Sequence, residues 1–345
     1  MSYQITQIND RNTMAQVEAL LHQEGIQNDA NLDYTCAMLD EDYCVVATGS
    51  CFGNTLRCFA VRSDHQGEGL LNEIVSHLIQ FQFERGNFHL FLYTKCQSAR
   101  FFNDLGFHEI ARVEDRLVFM ENRRTGFQGY LKTLAKKRVP GKPAAALVMN
   151  ANPFTLGHQY LVERAAAENE ILHLFMVSED ASLVPWPVRK QLVLEGTAHL
   201  NNIVYHDSGP YIISSATFPS YFLKDEAAVI ESHARLDLEI FQKIAGVLGI
   251  RRRYVGEEPF SQVTGIYNRI MKEELPRNGV ECVVVPRKEQ DGQAISASLV
   301  RQYIQSGDFD VLTKLVPETT FRYFQSTEAA PVIDRIRRAK DVTHY

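Results

Sequence analysis

Residues 144–149 read Ala-Ala-Ala-Leu-Val-Met, an unbroken apolar run. A half-exposed strand would alternate polar and apolar residues. A run without alternation belongs to a strand covered on both faces, as in parallel sheets flanked by helices. Asn-Ala-Asn-Pro-Phe-Thr follows at 150–155, and then Leu156, Tyr160, Leu161 and Ala165 fall at helical spacing. The unit is strand, turn, helix. The alternation continues through residue 325, with further strands expected at 172–177, 202–205, 253–255 and 280–285. Helices are expected after Thr155, at 187–199, 236–248 and 266–274, and after Ser298. This pattern predicts a doubly wound parallel sheet, in which ligands bind at the carboxyl ends of the strands.

The turn at 150–158 suits a phosphate. A helix start presents unpaired N–H groups and the positive end of the dipole. Gly157 removes a Cβ from the path of an approaching anion, and His158 supplies a ring donor. A second turn of the same kind follows the run 280–285 and a polar loop: Ile-Ser-Ala-Ser-Leu-Val-Arg at 295–301. Ser296 and Ser298 can cap that helix or donate to oxyanions, and Arg301 returns to the same helix end. Both turns follow strands, so they can share one cleft. Arg189 sits in a first helical turn, where a cation opposes the dipole and an anion would relieve it.

The first third of the chain reads differently. Strands are expected at 44–48, 56–61, 88–94 and 117–120, and Leu71, Ile74, Val75, Leu78 and Ile79 mark a helix over 70–84. Its approach, His-Gln-Gly-Glu-Gly-Leu at 65–70, is another Gly-rich turn entering a helix, built on Gln66, Gly67 and Gly69. Between the two regions, 130–143 carries five basic residues, two Pro and one Gly, and reads as a linker with a helical first half.

The expected organisation is therefore an α/β domain at 1–129, a basic linker at 130–143, a parallel-sheet domain at 144–325 and a tail at 326–345. A length of 345 residues suits two domains. A net charge of -6 implies no general nucleic-acid affinity. No apolar run reaches membrane-spanning length, and no N-terminal apolar segment with a cleavage site is expected. Six cysteines without a Cys-x-x-Cys pair, and histidines without a His-x-x-x-His pair, point to buried thiols in a cytoplasmic protein with no metal site.

Thr-Leu-Gly-His at 155–158 resembles the His/Thr-x-Gly-His signature of the nucleotidyltransferase superfamily, and its Thr form resembles the pantetheine-phosphate adenylyltransferase branch. The position before the motif proline, commonly Asp, is Asn152. The segment at 295–301 resembles the superfamily's Ile-Ser-Ser-Thr-x-x-Arg motif. The resemblance implies charge-stabilising roles for Thr155, His158, Ser296, Ser298 and Arg301. It implies nucleotide contacts for Asn150, Asn152, Pro153, Phe154, Gly157 and Arg189. Tyr-Val-Gly-Glu-Glu at 254–258 resembles a Gly-x-Asp segment near the ribose, which adds Gly256, Glu257 and Glu258. Gln66 and Gly69 resemble the pyrophosphate-binding motif of GNAT acetyltransferases, with Leu71 where Gly or Ala is usual. Ala-Arg-Phe-Phe-Asn-Asp-Leu-Gly-Phe at 99–107 resembles their closing motif, with Phe101 or Phe102 where a proton-donating Tyr often stands.

The order acetyltransferase-like domain, linker, Thr-x-Gly-His domain resembles the citrate lyase ligases over nearly the whole chain. Asn-Pro-Phe-Thr-Leu-Gly-His, Val-Gly-Glu-Glu-Pro and the Tyr267–Asn268 pair carry this resemblance. It implies a Rossmann-like ligase domain that uses ATP and Mg²⁺ to join acetate to a thiol through acetyl-adenylate. The thiol belongs to the dephospho-CoA-derived group of the citrate lyase acyl carrier protein. Two other readings use the same residues: adenylyl transfer to phosphopantetheine, and a regulator that senses CoA or acetyl-CoA without turnover.

Overall fold

The computed structural model describes residues 3–27, 29, 32–178, 182–212, 218, 226–257 and 262–343. They fall into two compact units, one of 1–129 with 218–239, the other of 130–217 with 240–345.

The first unit is built on seven strands: β1 (Gln4–Gln7), β2 (Tyr34–Leu39), β3 (Val45–Phe52), β4 (Thr55–Val61), β5 (Phe91–Thr94), β6 (His108–Val113) and β7 (Leu117–Glu121). Their order is β1-β2-β3-β4-β5-β7-β6. Four of them correspond to the strands expected from sequence; β1, β2 and β6 were not expected. Neighbours are antiparallel except β4 and β5, which pair in parallel only at Thr55–Phe91 and Leu56–Leu92. The helices are α1 (Arg11–Gln23), α2 (Leu70–Glu84), α3 (Ala99–Asp104) and the start of α4 (Gly126–Ala135). Side chains on β2 alternate between two cores. Cys36 and Met38 pack with Ile74 and Leu78 of α2, while Ala37 packs with Leu20 and Leu21 of α1. The period of two in the strand thus places the helices on opposite faces. Residues 218–239, placed by sequence in the second domain, group with this unit. There Arg116 Nη2 lies 2.9 Å from Glu231 Oε2 and Nη1 donates to Ser232 Oγ at 3.2 Å.

The second unit contains β8 (Ala144–Met149), β9 (Ile171–Met176), β10 (Ile203–Asp207), β11 (Ile250–Gly256) and β12 (Glu281–Val285), all parallel, in the order β10-β9-β8-β11-β12. Counted within this sheet alone, that is the doubly wound order 3-2-1-4-5. The helices are α5 (Leu156–Ala167), α6 (Trp186–Gly196), α7 (Glu226–Leu248), α8 (Gln262–Glu274), α9 (Ala297–Ser306), α10 (Glu318–Gln325) and α11 (Ala330–Arg338). The boundary between the units falls within α7. On one face of β8, Ala145, Leu147 and Met149 share a core with Val162 of α5, Leu192 of α6 and Val300 of α9. Each large apolar side chain buried there contributes roughly 1.5–3 kcal/mol. The chain leaves β8 in one direction to form β9 and β10, and returns on its other side to form β11 and β12. The crevice where this order reverses opens at the carboxyl ends of β8 and β11. Among the described residues, no helix is long and apolar enough to cross a membrane.

Candidate active site

The turn after β8 is held from below. Ala151 has φ of 51° and the Asn152–Pro153 peptide is cis. Asn152 is 3% exposed, and its Oδ1 accepts from the Val184 N–H at 2.9 Å. Phe154 is fully buried against Gly196, where a Cβ would come within 2.5 Å of its ring. Pro153 is buried as well. Asn152, Pro153 and Phe154 therefore anchor the turn, and the motif residues that border the cavity begin at Thr155.

Thr155 is the N-cap of α5. Its Oγ1 accepts from the His158 N–H at 3.2 Å, and its own N–H donates to His158 Nδ1 at 3.1 Å. This reciprocal box satisfies two helix-start donors and fixes the ring. It also fixes the tautomer. Nδ1 accepts a backbone proton, so the neutral ring carries its hydrogen on Nε2. The ring is neutral because burial, together with the charges of Arg287 and Arg301, pushes its pKa down to about 4. His158 thus presents a donor without a charge.

The second turn is built in parallel. Ser296 is the N-cap of α9, accepting from the Leu299 N–H at 3.1 Å, and its Oγ lies 2.9 Å from Ser298 Oγ. The two helix starts meet. A Cβ on Gly157 would stand 3.0 Å from the Ile295 carbonyl oxygen. Gly157 therefore also permits contact between the motifs. Thr155, Gly157, His158, Gly256, Arg287 and Ser296 border one cavity of about 110 Å³ at the carboxyl ends of the strands. Two N-terminal helix ends with neutral hydroxyl and imidazole donors are chemically suited to an oxyanion.

Two arginines singled out by the sequence are buried beneath the turn. Arg189 is 1% exposed, and its Nε donates to Val184 O while Nη1 donates to Asn150 O, Asn150 Oδ1 and Val177 O. Arg301 is 2% exposed, and its guanidinium donates to the carbonyls of Asn152, Val342 and Thr343. Backbone carbonyls and the Asn150 side-chain oxygen accept from these groups, so both brace the loop. Asn150 likewise binds Ser182 Oγ at 3.0 Å through its Nδ2. Glu257 is exposed, and its N–H donates to Val285 O at 2.9 Å; Glu258 lies outside the described residues. Asn268 Nδ2 donates to Gly256 O at 3.2 Å, which ties α8 to the end of β11.

Arg287 and Lys288 border the cavity and were missed. Their signal was present, a basic pair immediately after Pro286 at the end of an apolar run. Arg287 is half-buried, its Nε donates to Glu257 O at 2.8 Å, and burial lowers its pKa.

The first unit has its own cavity, about 590 Å³, where the ladder between β4 and β5 ends. Gln66, Gly67 and Gly69 border it. Gly67 and Gly69 have φ of 90° and 84°, a backbone that disfavours a side chain, and Gly69 is the N-cap of α2. Phe101 and Phe102 border it from α3.

Residues 144–324 match the family model described as the citrate lyase ligase C-terminal domain. The chain is similar to a [Citrate [pro-3S]-lyase] ligase of Escherichia coli K12, 38% identical over 92% of each chain. A protein of the same name from Klebsiella pneumoniae is 39% identical over 86% of this chain and 89% of its own. That from Haemophilus influenzae is 35% identical over 92% and 96%. Among solved structures, a GNAT acetyltransferase of Staphylococcus aureus Mu50 covers 35% of this chain and 100% of its own, at 14% identity and a TM-score of 0.31.

Proposed function

The chain belongs to the citrate lyase ligase family, and from that premise we propose how its second unit performs the first half of the reaction. The protein is an ATP-dependent ligase that acetylates the thiol prosthetic group of the citrate lyase acyl carrier protein. Acetate alone is a poor acyl donor, because its leaving group would be oxide. One acetate oxygen attacks the α-phosphorus of ATP, the bond to the β-phosphate oxygen breaks, and pyrophosphate leaves. Acetyl-adenylate results. A thiolate then attacks the acyl carbon and AMP departs with the electron pair. The balance is acetate, ATP and thiol to thioester, AMP, pyrophosphate and a proton.

The observation that carries this reading is the meeting of two helix starts at Gly157 and Ile295. Negative charge grows on the α-phosphate and the leaving group. The N–H groups of α5 and α9, the hydroxyls of Thr155, Ser296 and Ser298 and the Nε2–H of neutral His158 supply fixed donors for it. ATP enters as its Mg²⁺ complex, with the metal carried by the phosphate oxygens as part of the substrate. Gly256 and Glu257 stand at the strand end suited to the ribose. The cavity bordered by Gln66, Gly67 and Gly69 suits a pantetheine-like arm, with a helix N-terminus for its phosphate. The six cysteines are all free, which supports a reducing, cytoplasmic setting. The names of the relatives do not favour the adenylyltransferase or sensor readings.

The test is direct. Deacetylated citrate lyase, ATP, Mg²⁺, acetate and this protein should yield a carrier protein heavier by one acetyl group, with AMP released. Transfer of an adenylyl group to phosphopantetheine instead would overturn the reading.

A further inference from the structure

Pyrophosphate leaves carrying several negative charges, and the donors assembled above are neutral. Thr155 and Ser296 are hydroxyls, and His158 is an uncharged ring. The guanidinium groups of Arg189 and Arg301 are buried and brace the turn. Arg287 holds the Glu257 carbonyl through its Nε. A cation that can follow the leaving group has to come from another residue.

The hairpin between β12 and α9 places one. Its strands β13 (Glu289–Gln290) and β14 (Gln293–Ala294) are antiparallel, with Glu289 opposite Ala294 and Gln290 opposite Gln293. Asp291 and Gly292 join them with φ of 52° and 79°. Two central residues with positive φ give the tight turn whose twist matches a hairpin, and Asp-Gly is a pair that adopts it readily. That turn sets the register. One step further along the ladder the Ile295 N–H donates to Lys288 O at 3.0 Å, so Lys288 stands opposite Ile295. Directly opposite residues of an antiparallel pair share a face, and the next pair along takes the other face. Ile295 is buried against Gly157 and borders the cavity of Thr155, His158 and Ser296, and Lys288 borders it too. The register therefore sends the Lys288 side chain to the cleft and the Glu289 carboxylate to the opposite face. Lys288 is exposed, and among the described residues its ammonium group makes no hydrogen bond and no ion pair. A compact cation with three donors on a flexible stem can follow phosphate oxygens as they move apart.

We propose that Lys288 is a catalytic residue of the adenylation step, the cation that holds the β- and γ-phosphate oxygens of ATP and the departing pyrophosphate. This rests on the adenylation reading above. It moves to the root of the hairpin the charge that the sequence placed on α6 and α9, and Arg189 and Arg301 become positioning residues.

Binding of inorganic pyrophosphate and of AMP to the full chain, measured by calorimetry, tests this. The wild-type protein binds both. Lys288→Gln weakens pyrophosphate roughly tenfold or more, as expected for loss of a charged hydrogen-bonding group, and leaves AMP nearly unchanged. Lys288→Arg keeps the charge and restores most of the affinity. Lys288→Met carries the test should Lys288→Gln not fold. Lys142→Gln removes the same charge before the amino end of β8, where Lys142 Nζ lies 3.1 Å from Glu170, and leaves both affinities unchanged. A Lys288→Gln protein that binds pyrophosphate as wild type does overturns the proposal and leaves the adenylation reading standing. So does an equal loss in Lys142→Gln, which would make net charge the cause, or a wild-type protein that binds AMP without pyrophosphate. A wild-type protein that binds neither compound overturns the adenylation reading and the proposal with it.

Discussion

A Cβ on Gly157 would stand 3.0 Å from the carbonyl oxygen of Ile295, so the first helical turn of α5 and the entry to α9 touch through a residue without a side chain. The contact is with backbone, which cannot rotate aside. Gly157→Ala should gain about 1 kcal/mol of helix propensity and lose about 1–3 kcal/mol to overpacking, a small net loss of stability. Its larger effect should be on catalysis, because the two proposed sets of phosphate donors would be pushed apart. Adenylation should fall tenfold or more, roughly the consequence of misplacing fixed donors. A variant with wild-type turnover would separate the two motifs functionally.

His158 is expected to act as a neutral donor. Its pKa lies near 4, so the ring keeps its Nε2 proton and no charge across the range where an ordinary histidine titrates. The adenylation rate should therefore show no inflection near pH 6.5 that His158→Asn removes. His158→Ala should cost about a hundredfold or more, measured as single-turnover pyrophosphate release, and should lower stability by about 1–3 kcal/mol because the buried Thr155 N–H loses its acceptor. A pH profile with a histidine-like inflection that disappears in the variant would contradict the neutral role.

Acid stability should depend on a second pair of histidines. His173 and His206 are buried in β9 and β10 with Nδ1 and Nε2 2.8 Å apart, and burial pushes their pKa values down to about 4 and about 3. Unfolded histidine titrates near 6.5. Because the folded values are lower, the unfolded chain binds protons first, and stability present above about pH 6.5 is lost as pH falls towards 4 and 3. Urea midpoints at pH 8 and pH 5 should show this fall. The double substitution His173→Leu, His206→Leu should make it shallower. An unchanged slope would remove the pair from the account.

Arg301 joins the carbonyl of Asn152 to those of Val342 and Thr343, and so ties the last described residues to the turn after β8. Arg301→Ala leaves buried acceptors unpaired, at about 1–3 kcal/mol each, and should lower the melting temperature by roughly 5 °C or more. Deleting 342–345 removes part of the same network, so the two changes should not add. Additive losses would show that Arg301 and the C-terminal residues act separately.

The reach of the sequence follows from the range of the interactions. β8 was legible to the residue because both of its faces are buried, and Thr155 and Ser296 announced helix starts by local capping chemistry. β1 was not, since Gln4–Gln7 is a largely exposed edge strand without an apolar run. The inward turn of Arg189 and Arg301 was invisible because their acceptors lie up to 149 positions away. Arg287 was missed for the same reason. Nothing local distinguishes it from Lys288, and only the ends of β11 and β12 place it beside His158.

Acetate-dependent exchange of labelled pyrophosphate into ATP tests the central claim most directly. Acetyl-adenylate formation needs no thiol, so purified protein with ATP, Mg²⁺ and acetate should exchange label in the absence of any carrier protein. Adding deacetylated citrate lyase should convert exchange into net AMP release. Exchange that requires phosphopantetheine and ignores acetate would contradict the account.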